Sequence, residues 1–276
     1  MQCSSPLLLA LLVLCGCHSA KPKATAPATP APAAQVQPPA PPPLVRPAAF
    51  WPLERGTSWT YAGSLLSGSN GVVTTNAVRL TCVVQETQTL RGHRMARLSC
   101  FPPALSPWEA VPTNAPYVLL RTPAGAWHAI EATQARPVLA RLADPKDALD
   151  DLLTFETQVL AEPLKAGLRW GDPTGMQRLD GLCCWVTGTP RAASLADVAG
   201  LSKDWQLELF PLTFRTNPDQ LDVQFAPNIG ILATDYVHHG TPGEVHLRLT
   251  AFHPAPAAPA PPAAGAAPDA GQKSQR

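Results

Sequence analysis

The stretch that decides the fold is Trp205–Phe252, WQLELFPLTFRTNPDQLDVQFAPNIGILATDYVHHGTPGEVHLRLTAF. Four β-rich runs stand out in it: Trp205–Thr216, Leu221–Phe225, Gly230–His238 and Glu244–Phe252. Their separators are Asn217-Pro218-Asp219, Ala226-Pro227-Asn228 and Gly240-Thr241-Pro242-Gly243. Proline presets φ, Asn and Asp bond their own backbone, and glycine takes positive φ, so each separator reverses the chain. Strands joined by reversals this short pair with their sequence neighbours, which predicts an antiparallel meander.

The pattern continues toward the N-terminus. Gly71–Glu86 is rich in Val and Thr, and Arg94–Phe101 alternates after Arg91-Gly92-His93. Tyr117–Arg121 and Ala126–Glu131 flank Thr122-Pro123-Ala124-Gly125, which reads as a hairpin turn. Two segments lean helical. Pro145–Phe155 has Asp144 as N-cap and proline at the first helical position, and Ser194–Leu201 spaces Leu195, Val198 and Leu201 by three. The fold class that follows is mainly β: an antiparallel curved sheet, half-barrel or β-sandwich, with one or two short helices.

Beyond the strands the composition changes. Lys21–Pro47 is nearly all Ala, Pro, Thr and Gln, and the chain from Pro254 to Arg276 has neither aromatic nor β-branched residues. Neither segment carries enough apolar surface to offset its ordering entropy, so both read as disordered Pro/Ala-rich tails. Polyproline II at ~3.1 Å per residue would make the first a semi-rigid stalk of up to ~80 Å. Every Trp, Tyr and Phe lies between the tails. The division is therefore 1–16 signal peptide, 17–49 linker, 50–253 globular domain and 254–276 tail. Net charge is +1, which leaves neither a nucleic-acid footprint nor a polybasic membrane patch.

The address is written at the start. Leu7–Leu14 is an apolar run too short to span a bilayer, and it leads into Leu14-Cys15-Gly16-Cys17. A small residue followed by Cys at this place resembles the bacterial lipobox, which implies lipidation of Cys17 as the mature N-terminus. Each buried methylene contributes ~0.8 kcal/mol, so several acyl chains hold where one does not. The resemblance implies a stable membrane anchor outside the cytoplasm. His18, which is not the Asp of inner-membrane retention, points to the outer membrane.

An internal echo runs through the core. Pro52-Leu53-x-x-Gly56-x-x-Trp59 recurs as Pro163-Leu164-x-x-Gly167-x-x-Trp170. Proline starts a turn, glycine takes positive φ, and tryptophan enters a strand facing inward. With Phe50-Trp51 before the first copy and Ala226-Pro227-Asn228-Ile229-Gly230 near the end, the chain resembles a family of uncharacterised bacterial secreted proteins and lipoproteins built on this repeat. The resemblance implies a β-rich envelope domain akin to the curved half-barrels of lipoprotein carriers, and it implies no catalytic residues.

Four cysteines remain in the mature core: Cys82, Cys100, Cys183 and Cys184. With Arg91 as the centre of the hairpin turn, Cys82 and Cys100 lie opposite one another and share a face, which predicts that they are bonded. Adjacent Cys183 and Cys184 point to opposite faces of a strand, and are either a vicinal disulfide or free buried thiols. A zinc site of four thiolates lacks the Cys-x-x-Cys spacing. His238, His239, His246 and His253 read as an exposed polar strand face rather than a metal site, and His93 and His128 as surface residues.

Chemistry is otherwise scarce. The chain has no Gly-x-Ser-x-Gly elbow, no His-Glu-x-x-His and no phosphate-cradling loop, and neighbouring Asp150 and Asp151 diverge on a helix. No cofactor, metal site or catalytic residue is expected. The leading reading is a non-enzymatic, lipid-anchored β domain whose partners are the membrane, through Cys17, and a lipid or envelope protein. The second is a carrier of an apolar ligand in a concavity lined by residues such as Trp59, Trp170, Trp185 and Trp205. The third, a cell-envelope hydrolase, lacks a converging acid–base pair.

Overall fold

The computed structural model describes residues 49–108, 116–193 and 195–256. Chain order runs β1 (Ser58–Ser69), β2 (Val72–Leu90), β3 (His93–Leu98), β4 (Tyr117–Arg121), β5 (Ala126–Glu131), α1 (Ala132–Ala143), β6 (Gln158–Ala161), β7 (Arg169–Gly171), α2 (Pro173–Gln177), β8 (Cys184–Thr187), β9 (Arg191–Ala193), β10 (Leu207–Arg215), β11 (Asp219–Ala226), β12 (Gly230–His238) and β13 (Gly243–His253). The domain is mainly β. Its strands form one nearly closed antiparallel sheet in the order β6-β5-β4-β3-β2-β1-β13-β12-β11-β10-β8-β7, with β9 attached to β10.

That order is two six-stranded meanders set back to back. The first runs from β1 to β6, and the second from β7 to β13 with β9 set aside. The first strand of one meander is zipped to the last strand of the other along β1–β13, from Ser58 opposite His253 to Ser67 opposite Gly243. The equivalent seam, β6 against β7, approaches within 8 Å between Cα atoms, yet the two strands share no ladder.

Each meander opens with one copy of the Pro-Leu-x-x-Gly-x-x-Trp motif, and the two copies make the same hydrogen bonds. Thr57 N–H donates to the Glu54 carbonyl, and Leu168 N–H to that of Lys165. Gly56 N–H donates to the Val84 carbonyl while Val84 N–H returns to Thr57; Gly167 and Thr187 repeat this, with the return to Leu168. Gly56 (φ +92°) and Gly167 (φ +76°) both use the backbone region that favours glycine. Trp59 and Trp170 are then buried at the head of β1 and β7.

Strand β2 serves two neighbours, pairing with β1 over Val72–Val83 and with β3 over Val84–Leu90. A bulge at Gln85 falls where it changes partner, and bulges bend the strand they interrupt. Inside the curve lies the main core, which includes Leu53, Trp59, Trp127, Phe225 and Phe252. A second cluster sits on the opposite face of β3–β5. There Met95, Val118, Leu120 and Ile130 meet Val138 and Leu142 from α1, and Leu149 and Leu152 from the loop after it.

Two helical expectations are corrected. Pro145–Phe155 is a chain of turns, because its polar groups are used otherwise. Asp144 accepts from Lys146 N–H and Asp147 from Leu149 N–H. The Arg91 guanidinium takes the carbonyls of Asp144, Pro145 and Asp147, and Arg141 binds both Asp147 and Asp151. Side chains that bond the local backbone in this way compete with a helix and hold the segment in turns. In the other segment, of which Ser194 lies outside the described residues, Ala199 docks beside β13. Ala199 N–H donates to Thr250 O, and Phe252 N–H to Ala199 O. The longer helix is α1, which sequence reading missed because Pro137 sits inside it and proline ordinarily ends a helix.

Candidate ligand-binding cavity

The concave face of the second meander is set by strand alternation. On β10 and the residue after it, Leu212, Phe214 and Thr216 point inward; on β11, Leu221, Val223 and Phe225 do. Across from them stand Tyr117 on β4, Ala129 on β5 and Val159 on β6. Between the two meanders these residues enclose a cavity of about 580 Å³. That lies within the ~300–1,000 Å³ of ordinary small-molecule pockets and is room for about twenty heavy atoms at ~30 Å³ each.

Two tryptophans line it. Trp51 reaches in from the loop before β1, its ring 5.2 Å from that of Phe225 and nearly perpendicular to it, and 5.4 Å from that of Trp127. Trp185 on β8 lies 5.4 Å from Phe214 and is backed by Trp170, stacked at 5.9 Å and 9°. Of the four tryptophans expected from sequence to line a concavity, one does. Trp185 lines the cavity. Trp170 stands behind it, Trp59 is sunk in the core donating Nε1–H to Ile229 O at 2.6 Å, and Trp205 packs on the core elsewhere. Trp51 was passed over because it precedes the first strand and has no place in the strand alternation.

Four loop residues of the lining form a mouth. Phe155 and Glu156 come from the loop that leads into β6; Asp172 follows β7; Cys183 precedes β8. Phe155 is 46% exposed although it lines the cavity, so it stands at the opening. Asp172 caps α2 by accepting from Thr174 N–H at 3.0 Å. On the face of β5 away from the cavity, His128 Nδ1 lies 2.9 Å from Thr157 Oγ1, whose hydroxyl donates to Leu152 O at 2.7 Å. That leaves Nδ1–H as the donor to Thr157. His128 is only 4% exposed, against the surface position expected: it shares a face of β5 with Ile130, which the α1 layer covers. Burial, with a smaller push from His93, lowers its pKa to about 4.

The remaining predicted residues fall as follows. Cys17 lies outside the described residues. Cys82 and Cys100 are bonded, with Cα atoms 5.0 Å apart. Cys183 and Cys184 are free; Cys183 lines the mouth, and burial raises the pKa of Cys184. Pro52, Leu53, Pro163 and Leu164 belong to the two motif turns, with Leu53 wholly buried. Asp151 turns to Arg141 rather than to Asp150. On the β12–β13 surface His246 is held from both sides, Nδ1 by Asp235 at 2.8 Å and Nε2 by Glu244 at 2.9 Å, and those carboxylates raise its pKa. His238 instead meets Asp219, which also accepts from the Tyr236 hydroxyl. None of these polar clusters touches the cavity.

Neither a protein-family model nor a curated protein matches the chain. Two crystal structures are similar to it. One, from Bacteroides fragilis, is titled a "putative exported protein with YmcC-like fold"; it is 12% identical with a TM-score of 0.33, over 75% of this chain and 99% of that one. The other is titled a "putative lipoprotein" from Parabacteroides distasonis; it is 11% identical with a TM-score of 0.27, over 74% of this chain and 98% of that one.

Proposed function

We propose that this chain is a non-enzymatic, lipid-anchored envelope protein that binds an apolar ligand between its two meanders. The observation that carries the reading is the cavity of about 580 Å³, walled by aromatic and aliphatic side chains, with half-exposed Phe155 at its edge. Anchoring through Cys17, with the outer membrane as destination and 17–49 as the tether, is supported by the lipobox-like Leu14-Cys15-Gly16-Cys17. A carrier or sensor of lipid needs this combination: a membrane address, a reach, and an apolar chamber with one wet end.

Native mass spectrometry of the chain carrying Cys17→Ser, secreted without lipid and kept non-reduced, tests the cavity. A co-purifying lipid-sized mass that disappears in Ala129→Phe supports the reading. A clean apo mass, together with failure to take up a neutral apolar dye, removes it. Metabolic labelling with a radioactive fatty acid tests the anchor separately, since label must be lost in Cys17→Ser.

A further inference from the structure

We infer that the cavity selects amphiphiles by the charge of the head group, accepting a cationic or uncharged end and rejecting an anionic one. This rests on the apolar-ligand reading and adds the class of ligand to it. Among the described residues the charged side chains lining the cavity are two carboxylates, Glu156 and Asp172, and no Lys, Arg or His lines it. Both stand at the seam that lacks a ladder, one just before β6 and one just after β7, where an apolar chain inside the cavity would leave its head.

The basic residues nearest the mouth either face away or are held by other groups, although Arg178 lies close enough to Cys183 for their charges to interact. Arg215 sits between the inward-facing Phe214 and Thr216, so alternation sends its side chain to the other face. Arg169 alternates with Trp170, and its guanidinium is occupied by the carbonyls of Met176 and Arg178. Arg178 is paired with Asp180. On the acidic side, Glu156 has no hydrogen bond or ion pair among the described residues, and Asp172 uses one oxygen to cap α2 and keeps the other. The remaining polar lining is the hydroxyls of Thr216 and Tyr117, the sulfur of Cys183 and the indoles of Trp51 and Trp185.

A carboxylate or phosphate head would thus meet two like charges and no lining cation, whereas an ammonium would meet two opposite ones. Solvent at the mouth weakens each contact between head and carboxylate, so reversing the sign of the head is worth on the order of ten-fold in affinity. Being exposed to solvent, the effect shrinks as salt rises.

The test displaces N-phenylnaphthylamine, a neutral dye, from the full chain carrying Cys17→Ser, using dodecylamine, dodecanol and dodecanoate below their aggregation concentrations. The expected order is amine, then alcohol, then dodecanoate, with about ten-fold between the ends at low ionic strength. The pair Glu156→Gln and Asp172→Asn, which keeps shape and helix cap, should bring the three together without altering the alcohol. Dodecanoate binding as well as the amine, or an order unmoved by the double variant, overturns the inference while leaving the cavity reading intact. Failure of all three competitors, and of the dye itself, overturns both.

Discussion

Cys82 faces Cys100 across β2 and β3 because Gln85, between them and the turn, is left out of the ladder. The hairpin closes with Leu90 opposite His93 around Arg91-Gly92, and an unbroken ladder from there would set Cys82 against Phe101. The bulge moves the register by one and turns both sulfurs to the same side.

The bond closes a loop of 18 residues, so replacing both cysteines by alanine should cost about 3 kcal/mol in urea unfolding. Deleting Gln85 keeps Cys82 paired with Cys100, since the extra residue alone is removed. Deleting Ser99 shifts the register and should leave both thiols free. A thiol count on the denatured, non-reduced chain from residue 17 onward, carrying Cys17→Ser, should give two for the first deletion and four for the second.

Filling the cavity should separate binding from stability. Ala129→Phe places a ring where Tyr117, Val159 and Val223 leave space, so dye uptake is lost while the midpoint of unfolding stays nearly unchanged. Trp59→Ala makes the contrast, costing ~3–5 kcal/mol because that ring is packed in the core. Equal loss of stability in both would mean that the chamber is not open space.

Gly167→Ala tests the motif turn without a steric clash. Nothing lies within 4 Å of the added methyl, and φ is +76°. The left-handed conformation alone should cost about 1–2 kcal/mol. An unchanged midpoint would show that the turn tolerates another geometry.

His128 should make the domain acid-sensitive. Its pKa is lowered to about 4, below the ordinary 6.5, so between these values the unfolded chain binds more protons than the folded one. Stability therefore rises with pH across this window, by up to about 3 kcal/mol, and is fully present above pH 6.5. His128→Gln should flatten that slope. His246 acts in the opposite sense, because its pKa is raised: its contribution is present below pH 6.5 and fades as pH climbs through the folded value.

Much of the sheet was legible because its signals are local. β4, β5 and β12 begin and end where alternation and turn residues put them, and the Pro-Leu-x-x-Gly-x-x-Trp echo marks the head of each meander. The Cys82–Cys100 pair was reached with Arg91 as the turn centre, although the centre lies between Arg91 and Gly92 and the bulge supplies the missing step. What sequence hid is what distant parts decide. Pro145–Phe155 looks helical until Arg91, more than fifty residues away, takes its carbonyls. His128 looks exposed until α1 covers its face. The cavity itself depends on two meanders failing to zip along one seam, and no pattern within either meander records that.

The zipped seam has a consequence of its own. With Ser58 opposite His253, the two ends of the folded domain emerge side by side, while the connection at 162–168 joins two strands that share no ladder. New termini opened at Ala166, with a short splice between Pro256 and Ala49, would leave every strand beside its present neighbour. A circular permutant of that design should fold, and its two meanders would be exchanged in order along the gene.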